Sequence, residues 1–273
     1  MEIKNHLHKF HATNPVLVEE TQLAKIFRVT LRDQRTAIVK SWINPQSEQT
    51  GVDYLLGQNG VGCVQILGRC EGAILMEQLD GPSLTSVVAG MDDQSATEIL
   101  IGVAQQLQSV PNQNTSKLTP LKDYTGALFS AEFAHECNPE LEADIRKCRV
   151  LAMDLFESAS EPVALHGDLH HDNILKHQNA WLAIDAKGIF GDPAYEFANA
   201  LRNPRGHDAL IRDPNTIGCR AEAYATAAKI PEIRMLSWGA VKTALSICWR
   251  SNGVVKNDAE ADLLSLFLDL RNQ

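Results

Sequence analysis

Basic residues are in the minority in this chain. Twenty-five lysines and arginines stand against 34 aspartates and glutamates, a net charge of −9. That balance argues against a nucleic-acid footprint and against adhesion to an anionic membrane. It favours a cationic small partner. The six cysteines (Cys63, Cys70, Cys137, Cys148, Cys219 and Cys248) form no C-x-x-C pair and no framework spacing, so free thiols in a reducing cytosol are expected. No run approaches the roughly 20 apolar residues of a membrane span. Met1 to Asn14 is polar, with three histidines and no apolar segment, so no signal peptide is expected and the location reads as cytoplasmic. Repeats and low-complexity tracts are missing too. What is present is ordinary for a globular protein: 273 residues, 44% hydrophobic and 22% charged, enough to bury a core as one large domain or two lobes.

The chemistry gathers in His166-Gly167-Asp168-Leu169-His170-His171-Asp172-Asn173 and in Ala183-Ile184-Asp185-Ala186-Lys187-Gly188. Asp168 and Asn173 have the H-x-D-x-x-x-x-N spacing of a protein-kinase catalytic loop. A β-hairpin pattern follows, Ile174 to Lys176 and Trp181 to Ile184, with Asp185 at its end. A kinase carries its Mg²⁺-binding Asp there. Phosphoryl transfer asks little covalent work of a protein. A carboxylate must orient and deprotonate an acceptor hydroxyl, which suits Asp168. Hard oxygen ligands must hold Mg²⁺, which suits Asn173 and Asp185. His166 is expected to brace the loop rather than to react.

Upstream, Pro15 to Glu20, Lys25 to Leu31 and Thr36 to Trp42 read as an antiparallel meander, with Val61 to Leu67 and Ala73 to Met76 as further strands. Ala37-Ile38-Val39-Lys40 fits the third-strand lysine that pairs nucleotide phosphates. No glycine lies between Glu19 and Lys25, where a protein kinase has its glycine-rich loop. Backbone N–H groups or Thr21 must then meet the phosphates. A helix over Pro45 to Leu56 is expected to supply a glutamate to Lys40, with Glu48 the better candidate and Asp53 the poorer; Gly51 weakens that helix. Glu77 to Pro82 reads as a hinge, where the backbone of Glu77 and Leu79 meets adenine; Met76 packs on the purine or is equally a plain core methionine.

Beyond the hinge the periodicity turns helical. Asp92 to Ser109, Leu121 to His135, Pro139 to Ser158, Asn215 to Lys229, Pro231 to Ser251 and Asp258 to Leu270 read as helices. The stripe Leu141, Ile145, Cys148, Ala152 and Leu155 reads as core. Asp192 is a natural N-cap with Pro193 after it. The expected class is α+β and bilobal: a β-rich N-lobe over residues 1–79 and a mostly helical C-lobe over 80–273.

With these residues placed, the chain resembles the aminoglycoside and hydroxyurea phosphotransferase family. The likeness is strongest from Leu165 to Pro204, through the two loops and Gly191-Asp192-Pro193-Ala194-Tyr195-Glu196. The resemblance implies a protein-kinase-like fold, ATP with Mg²⁺, and phosphorylation of a small-molecule hydroxyl. By motif position it implies Asp168 as base, Asn173 and Asp185 as metal ligands, and Lys40 on phosphate. GTP is an alternative to ATP. Lys187, where a protein kinase has glycine, touches phosphate or pairs with Asp192 or Glu196.

The acceptor belongs in the helical lobe near Asp168. Asp208, Asp213, Glu222 and Glu260 are the acids available to a cationic acceptor, each equally a solvated surface charge. Trp249 and Arg250 are candidates to wall the pocket, with core packing the stronger reading for Trp249. Amino sugars, hydroxyurea and other metabolites all remain open as acceptors. Two other classes compete. His166, Asp168 and His207 recapitulate a 2-His-1-carboxylate iron triad, and a nucleotide-binding pseudokinase fits the missing glycine-rich loop.

Overall fold

In the computed structural model, which describes residues 2–44, 48–88, 90–111, 114–159 and 161–272, a helix precedes the first strand. This helix, α1 (Glu2–Phe10), is short and amphipathic. Next come β1 (Thr13–Glu20), β2 (Ala24–Thr30) and β3 (Thr36–Trp42), then α2 (Gln49–Gln58), β4 (Ile66–Cys70) and β5 (Ala73–Glu77). The five strands make one antiparallel sheet in the order β1-β2-β3-β5-β4.

Alternation decides what each face of this sheet sees. Ala37 and Val39 point outward and join Val29, Ala73 and Leu75 in a small cluster covered by Ile3, Leu7 and Phe10 of α1. Ile38, Lys40 and Trp42 point the other way, toward the helical part of the chain. Lys40 pairs in register with Ile26 and Ile74, and Ile38 with Met76. Lys40 and Met76 therefore share a face. The segment Met1 to Asn14 had offered only its polarity and histidines. Ile3, Leu7 and Phe10 at helical spacing carry the helix.

The expected strand over Val61 to Leu67 is displaced. Gly60 and Gly62 adopt left-handed conformations (φ 80° and 71°) that end regular pairing. Gly62 and Val64 instead hydrogen-bond Ala183, two residues before Asp185. The helix expected from Pro45 starts at Gln49; Pro45, Gln46 and Ser47 lie outside the described residues. Gly51 has a packing reason. A Cβ there would overlap the carbonyl oxygen of Ala186, and one on Gly188 would overlap that of Thr50. Helix α2 thus lies backbone to backbone on the loop after Asp185. In an exposed helix Gly→Ala stabilises by roughly 1 kcal/mol. Here Gly51→Ala is expected to destabilise by about 1–3 kcal/mol, as overpacking does, and a urea melt checks the sign.

The rest is mostly helical: α3 (Leu84–Val88), α4 (Asp93–Gln108), α5 (Leu121–Tyr124), α6 (Gly126–Ser130), α7 (Pro139–Glu157), α8 (Asp208–Ile211), α9 (Pro214–Ala228), α10 (Glu232–Arg250) and α11 (Ala261–Arg271). Short strands interleave: β6 (Thr119–Pro120), β7 (Glu132–Phe133), β8 (Val163–Leu165), the hairpin β9 (Ile174–His177) and β10 (Ala180–Ala183), β11 (Ile189–Gly191) and β12 (Val254–Val255). The single helix expected over Leu121 to His135 is two short ones and a strand. Buried Thr125 turns its hydroxyl back on the carbonyls of Leu121 and Lys122, closing α5. Every residue of α10 from Met235 to Cys248 is buried. It is the central helix, packed by α7, α9 and α11. Asp192 caps the turn Pro193–Phe197 through Ala194 N–H and also accepts from Trp238 Nε1 at 2.6 Å and Arg234 Nε at 2.7 Å. No helix among the described residues is long and apolar enough to cross a membrane.

Candidate active site

Two loops bring the polar residues together. The first follows β8. Gly167 turns it with φ 78°, and a Cβ there would overlap Ile189. His166 is fully buried. Its Nε2 donates to the Ile184 carbonyl at 2.8 Å, and its Nδ1 accepts the Asp168 backbone N–H at 3.3 Å. Burial pushes the imidazole down to about 4, so it stays neutral. Both nitrogens are committed, which leaves no lone pair for iron. Among the described residues no three His, Cys, Asp or Glu side chains gather as a metal cluster.

Asp168 is surrounded by donors. Asn199 Nδ2 reaches Oδ1 at 2.8 Å, and Lys242 Nζ lies 3.7 Å from the same oxygen. Asn173 Nδ2 donates to the Asp168 carbonyl at 2.9 Å and lies 3.3 Å from Oδ2. His170 Nε2 stands 3.8 Å from Oδ2. Burial alone would raise this carboxyl; Lys242, then His170 and Lys187, outweigh it and bring it to about 2. Asp168 is a carboxylate throughout the physiological range. Asn173 spends its amide N–H on Asp168, which leaves its side-chain oxygen out of that contact.

The second loop leaves the hairpin at Ala183. Ile184 N–H donates to the Asn173 carbonyl at 2.9 Å, which sets Asp185 beside the first loop. Asp185 holds φ 62°, an uncommon conformation for a residue with a side chain. Lys187 N–H bonds the His166 carbonyl at 2.7 Å, and Thr50 of α2 bonds the Lys187 carbonyl at 2.8 Å. Lys40 pairs directly with Asp185. The Asp185 side chain is walled by protein yet 38% exposed, because it faces an open cleft. Burial would raise its carboxyl, but Lys40 and Lys187 hold it below the usual carboxylate range.

The cleft is a cavity of about 420 Å³ that includes Thr21, Ala24, Lys40, Trp42, Asp185 and Lys187 in its wall. Larger grooves lie between α7 and α11 (about 620 Å³) and between α4 and α9 (about 720 Å³). Neither touches the two loops, and chemistry outranks size here. The cleft's roof is the β1–β2 turn, where the Thr21 hydroxyl accepts the Leu23 and Ala24 N–H groups at 3.2 and 3.0 Å. Thr21 is therefore committed to its own turn.

The match to known proteins can be set against this geometry. Residues 9–253 match the family model described as aminoglycoside/hydroxyurea antibiotic resistance kinase. The chain belongs to this family. Among curated relatives, the streptomycin 3''-kinase of Klebsiella pneumoniae is 29% identical over 208 residues, 74% of this chain and 75% of that protein. The hydroxyurea phosphotransferase of Kitasatospora aureofaciens is 31% identical over 186 residues, 66% of this chain and 54% of that one. Among solved structures, a thermostable mutant of aminoglycoside phosphotransferase APH(4)-Ia, in ternary complex with ADP and hygromycin B, aligns with TM-score 0.63 at 13% identity, covering 98% of this chain and 97% of that one. Amicoumacin kinase hAmiN, in complex with AMP-PNP, Ca²⁺ and Ami, gives TM-score 0.66 at 12% identity over 100% and 94%. The fold is thus the bilobal protein-kinase-like one, and this resistance-kinase family consists of phosphotransferases with an alcohol group as acceptor.

Within this family member, several sequence-predicted residues fall elsewhere than expected. Glu48 does not pair with Lys40. Its carboxylate stands 3.4 Å from Lys187 Nζ, because Asp185 already takes Lys40. Lys187 in turn pairs with neither Asp192 nor Glu196. Burial opposes its charge, but Glu48, Asp168 and Asp185 outweigh that and raise it. Asp53 bonds Arg69 at 2.6 Å, away from the cleft. Glu196 is fully buried near the His166 and Gly167 N–H groups, without a hydrogen bond of good geometry. In the segment expected to be the hinge, Glu77 Oε1 accepts the Gln65 N–H at 2.7 Å, Met76 is buried and Leu79 is half-buried.

Of the acids expected to serve an acceptor, Asp208 pairs with Arg212, Asp213 caps α9 through Thr216 N–H, and Glu222 sits on the α4–α9 groove. Glu260 alone connects to Asp168, through Arg202, which also bonds Asn199. Arg250 takes Glu260 and Asp258, both at 2.7 Å. Trp249 is not a core residue. It is 39% exposed, edge-on to Tyr124 at 5.3 Å, because it lies at the end of α10 where burial stops. Sequence reasoning missed Asn199, Arg202 and Lys242. Lys242 alone had a signal: a lone charge inside the apolar run Trp238 to Leu245.

Proposed function

We propose that the chain is a Mg-ATP-dependent kinase that transfers the γ-phosphate to a hydroxyl of a small molecule of the aminoglycoside kind. The observation that carries this reading is that Asp185, which lines the cleft with Lys40, is held beside the loop of Asp168 and Asn173 by the Ile184 N–H to Asn173 carbonyl bond. In this reading Asp168 orients the acceptor hydroxyl and takes its proton. Asn173, through its free carbonyl, and Asp185, ionised and seeking a cation, supply the hard oxygen donors that suit Mg²⁺. Bound Mg²⁺ would neutralise charge on the nucleotide phosphates. Lys40 leaves Asp185 for a phosphate, and Lys187, braced by Glu48, offers a second ammonium to the same end of the cleft. Adenine sits on the shared face of Ile38 and Met76, against the backbone of Glu77 and Leu79; GTP is the alternative base. His166 braces.

The division into an N-lobe, residues 1–79, and a C-lobe, residues 80–273, belongs to the same proposal and is supported by the end of β5 at Glu77. So does a cytoplasmic location, supported by six cysteines that are all free thiols. The exposed face of Trp249 and the guanidinium of Arg250 lie on the acceptor side. Proteins similar to this one are named for streptomycin and hydroxyurea, which makes these the first acceptors to try. The test is a screen with Mg-ATP, and separately Mg-GTP, against streptomycin, other aminoglycosides, hydroxyurea and a metabolite pool, read by mass spectrometry. A product heavier by one phosphate is expected. Tight nucleotide binding with no phosphorylated product in any arm would favour a binding protein instead.

A further inference from the structure

Lys242 lies in the middle of α10 and is buried to 2% exposure. A lysine so placed is rare without a partner. Its surroundings are specific. Nζ stands 4.9 Å from the ring centre of Trp249, 5.7 Å from that of Tyr124 and 5.9 Å from that of Tyr195. Three ring faces or edges at that range make a cation box. The open side of the box is Asp168 Oδ1, at 3.7 Å. Lys242 comes from an element that shares no sequence neighbourhood with the catalytic loop, and nothing in the motif demands it.

A purely structural role does not account for this side chain. Replacing both members of a buried ion pair by apolar side chains of similar volume is commonly neutral or stabilising, so packing alone does not call for the charge. The neighbours on α10 are apolar or small, so a Leu or Met would fill the place. The charge serves the carboxylate it faces. We propose that Lys242 is a positioning residue for phosphate transfer: seated in the aromatic box, its ammonium fixes Asp168 Oδ1 together with Asn199 and turns Oδ2 toward the acceptor. The inference rests on the phosphotransferase reading given above. In the step itself, the bond from the acceptor oxygen to the γ-phosphorus forms and the bond from that phosphorus to the β–γ bridging oxygen breaks. The hydroxyl proton passes to Oδ2. Lys242 keeps its proton throughout, and its charge offsets the carboxylate beside a phosphoryl group that is itself negative.

The same geometry sets a pH limit. The ionisable groups facing Lys242 are Asp168 on the catalytic loop, Arg202 after the Pro193–Phe197 turn, Lys187 on the metal loop, Tyr124 of α5 and Tyr195 of that turn; Trp249 shares its helix. Burial lowers the ammonium most, Asp168 restores part, and Arg202 and Lys187 lower it further, to about 8. Above that pH the box holds a neutral amine and Asp168 loses its counter-charge.

The test compares wild type, Lys242→Met, Lys242→Arg and Asp168→Asn between pH 6 and 10, with Mg-ATP and either streptomycin or water as acceptor, so that slow ATP hydrolysis reports even if streptomycin is not a substrate. Calorimetry measures Mg-ATP affinity of each variant. Lys242→Met is expected to lose on the order of 100-fold in kcat, as removal of one preorganised charge does, with Mg-ATP affinity within about twofold; it stays folded under assay conditions but melts at lower urea, because Asp168 is left without its counter-charge. Wild-type turnover is expected to fall above about pH 8, and Lys242→Arg to remain flat there. Wild-type kcat and an unchanged pH profile in Lys242→Met would overturn the role, as would a loss explained by unfolding or weakened nucleotide binding. If Asp168→Asn turns over as fast as wild type, Asp168 is not the base and the role of Lys242 falls with it; if wild type transfers phosphate neither to streptomycin nor to water, it is the phosphotransferase reading that fails.

Discussion

Asp168→Asn is expected to lower phosphate transfer by about 10³-fold, within the range of a general base, while Mg-ATP still binds. The substitution keeps the shape and removes the charge. Nucleotide affinity by calorimetry and product by mass spectrometry separate the two effects. The local cost is also defined. Asn173, Asn199, His170 and Lys242 all turn toward Asp168, and the first two and the lysine can only donate to it. A carboxylate accepts on both oxygens, whereas an amide accepts on one and meets donors with its NH₂. One donor is left unsatisfied, which costs about 1–3 kcal/mol, and a urea melt of the variant should show it. Loss of ATP binding in a folded Asp168→Asn protein would contradict the assigned role.

The pH dependence of stability follows from the same pair, and stability rises with pH in two separate windows. Asp168 moves from an ordinary 3.8 to about 2. Its contribution is complete above roughly pH 4 and is lost as pH falls through about 2. Lys242 moves from 10.5 to about 8. Between those values the unfolded chain binds the proton that the native state has released. Stability therefore rises with pH from about 8 to about 10.5, while activity is expected to fall over the lower part of that window.

Much of this site could be read from the order of residues, and the rest could not, for a physical reason. Asp168, Asn173 and Asp185 lie on one short stretch whose spacing the chemistry dictates, so their types and offsets are visible in the chain. Ala37-Ile38-Val39-Lys40 likewise singled out Lys40, by its match to the lysine motif of a kinase third strand. The partners of these residues come from distant elements. Asn199 reaches Asp168 across 31 positions, and Lys242 arrives on α10. Which glutamate meets which lysine is a matter of distances between α2, β3 and the metal loop, and no periodicity encodes that. Gly51 shows the same limit from the other side. On propensity it is a flaw in a helix. In the structure it is the contact surface that lets α2 lie on the Ala186 carbonyl.

Asp185→Ala acts on the other half of the reaction. Lys40 is 7% exposed, and Asp185 is its ion-pair partner. Removing the carboxylate takes away the proposed metal donor and leaves a buried ammonium facing the cleft. The two losses pull nucleotide binding in opposite directions. Metal-free ATP, which carries the most negative charge, gains an unpaired Lys40 and should bind no worse than to wild type. Mg-ATP loses its anchor and should bind on the order of 100-fold more weakly, about 2.8 kcal/mol. The ratio of the two affinities, measured by calorimetry with and without a chelator, therefore isolates the metal role from the electrostatic one. Asp168→Asn should leave that ratio at its wild-type value, since Asp168 faces Lys242 and the amides and not the cleft wall. Unchanged Mg-ATP affinity in Asp185→Ala would remove Asp185 from the metal site and leave Lys40 as its sole concern.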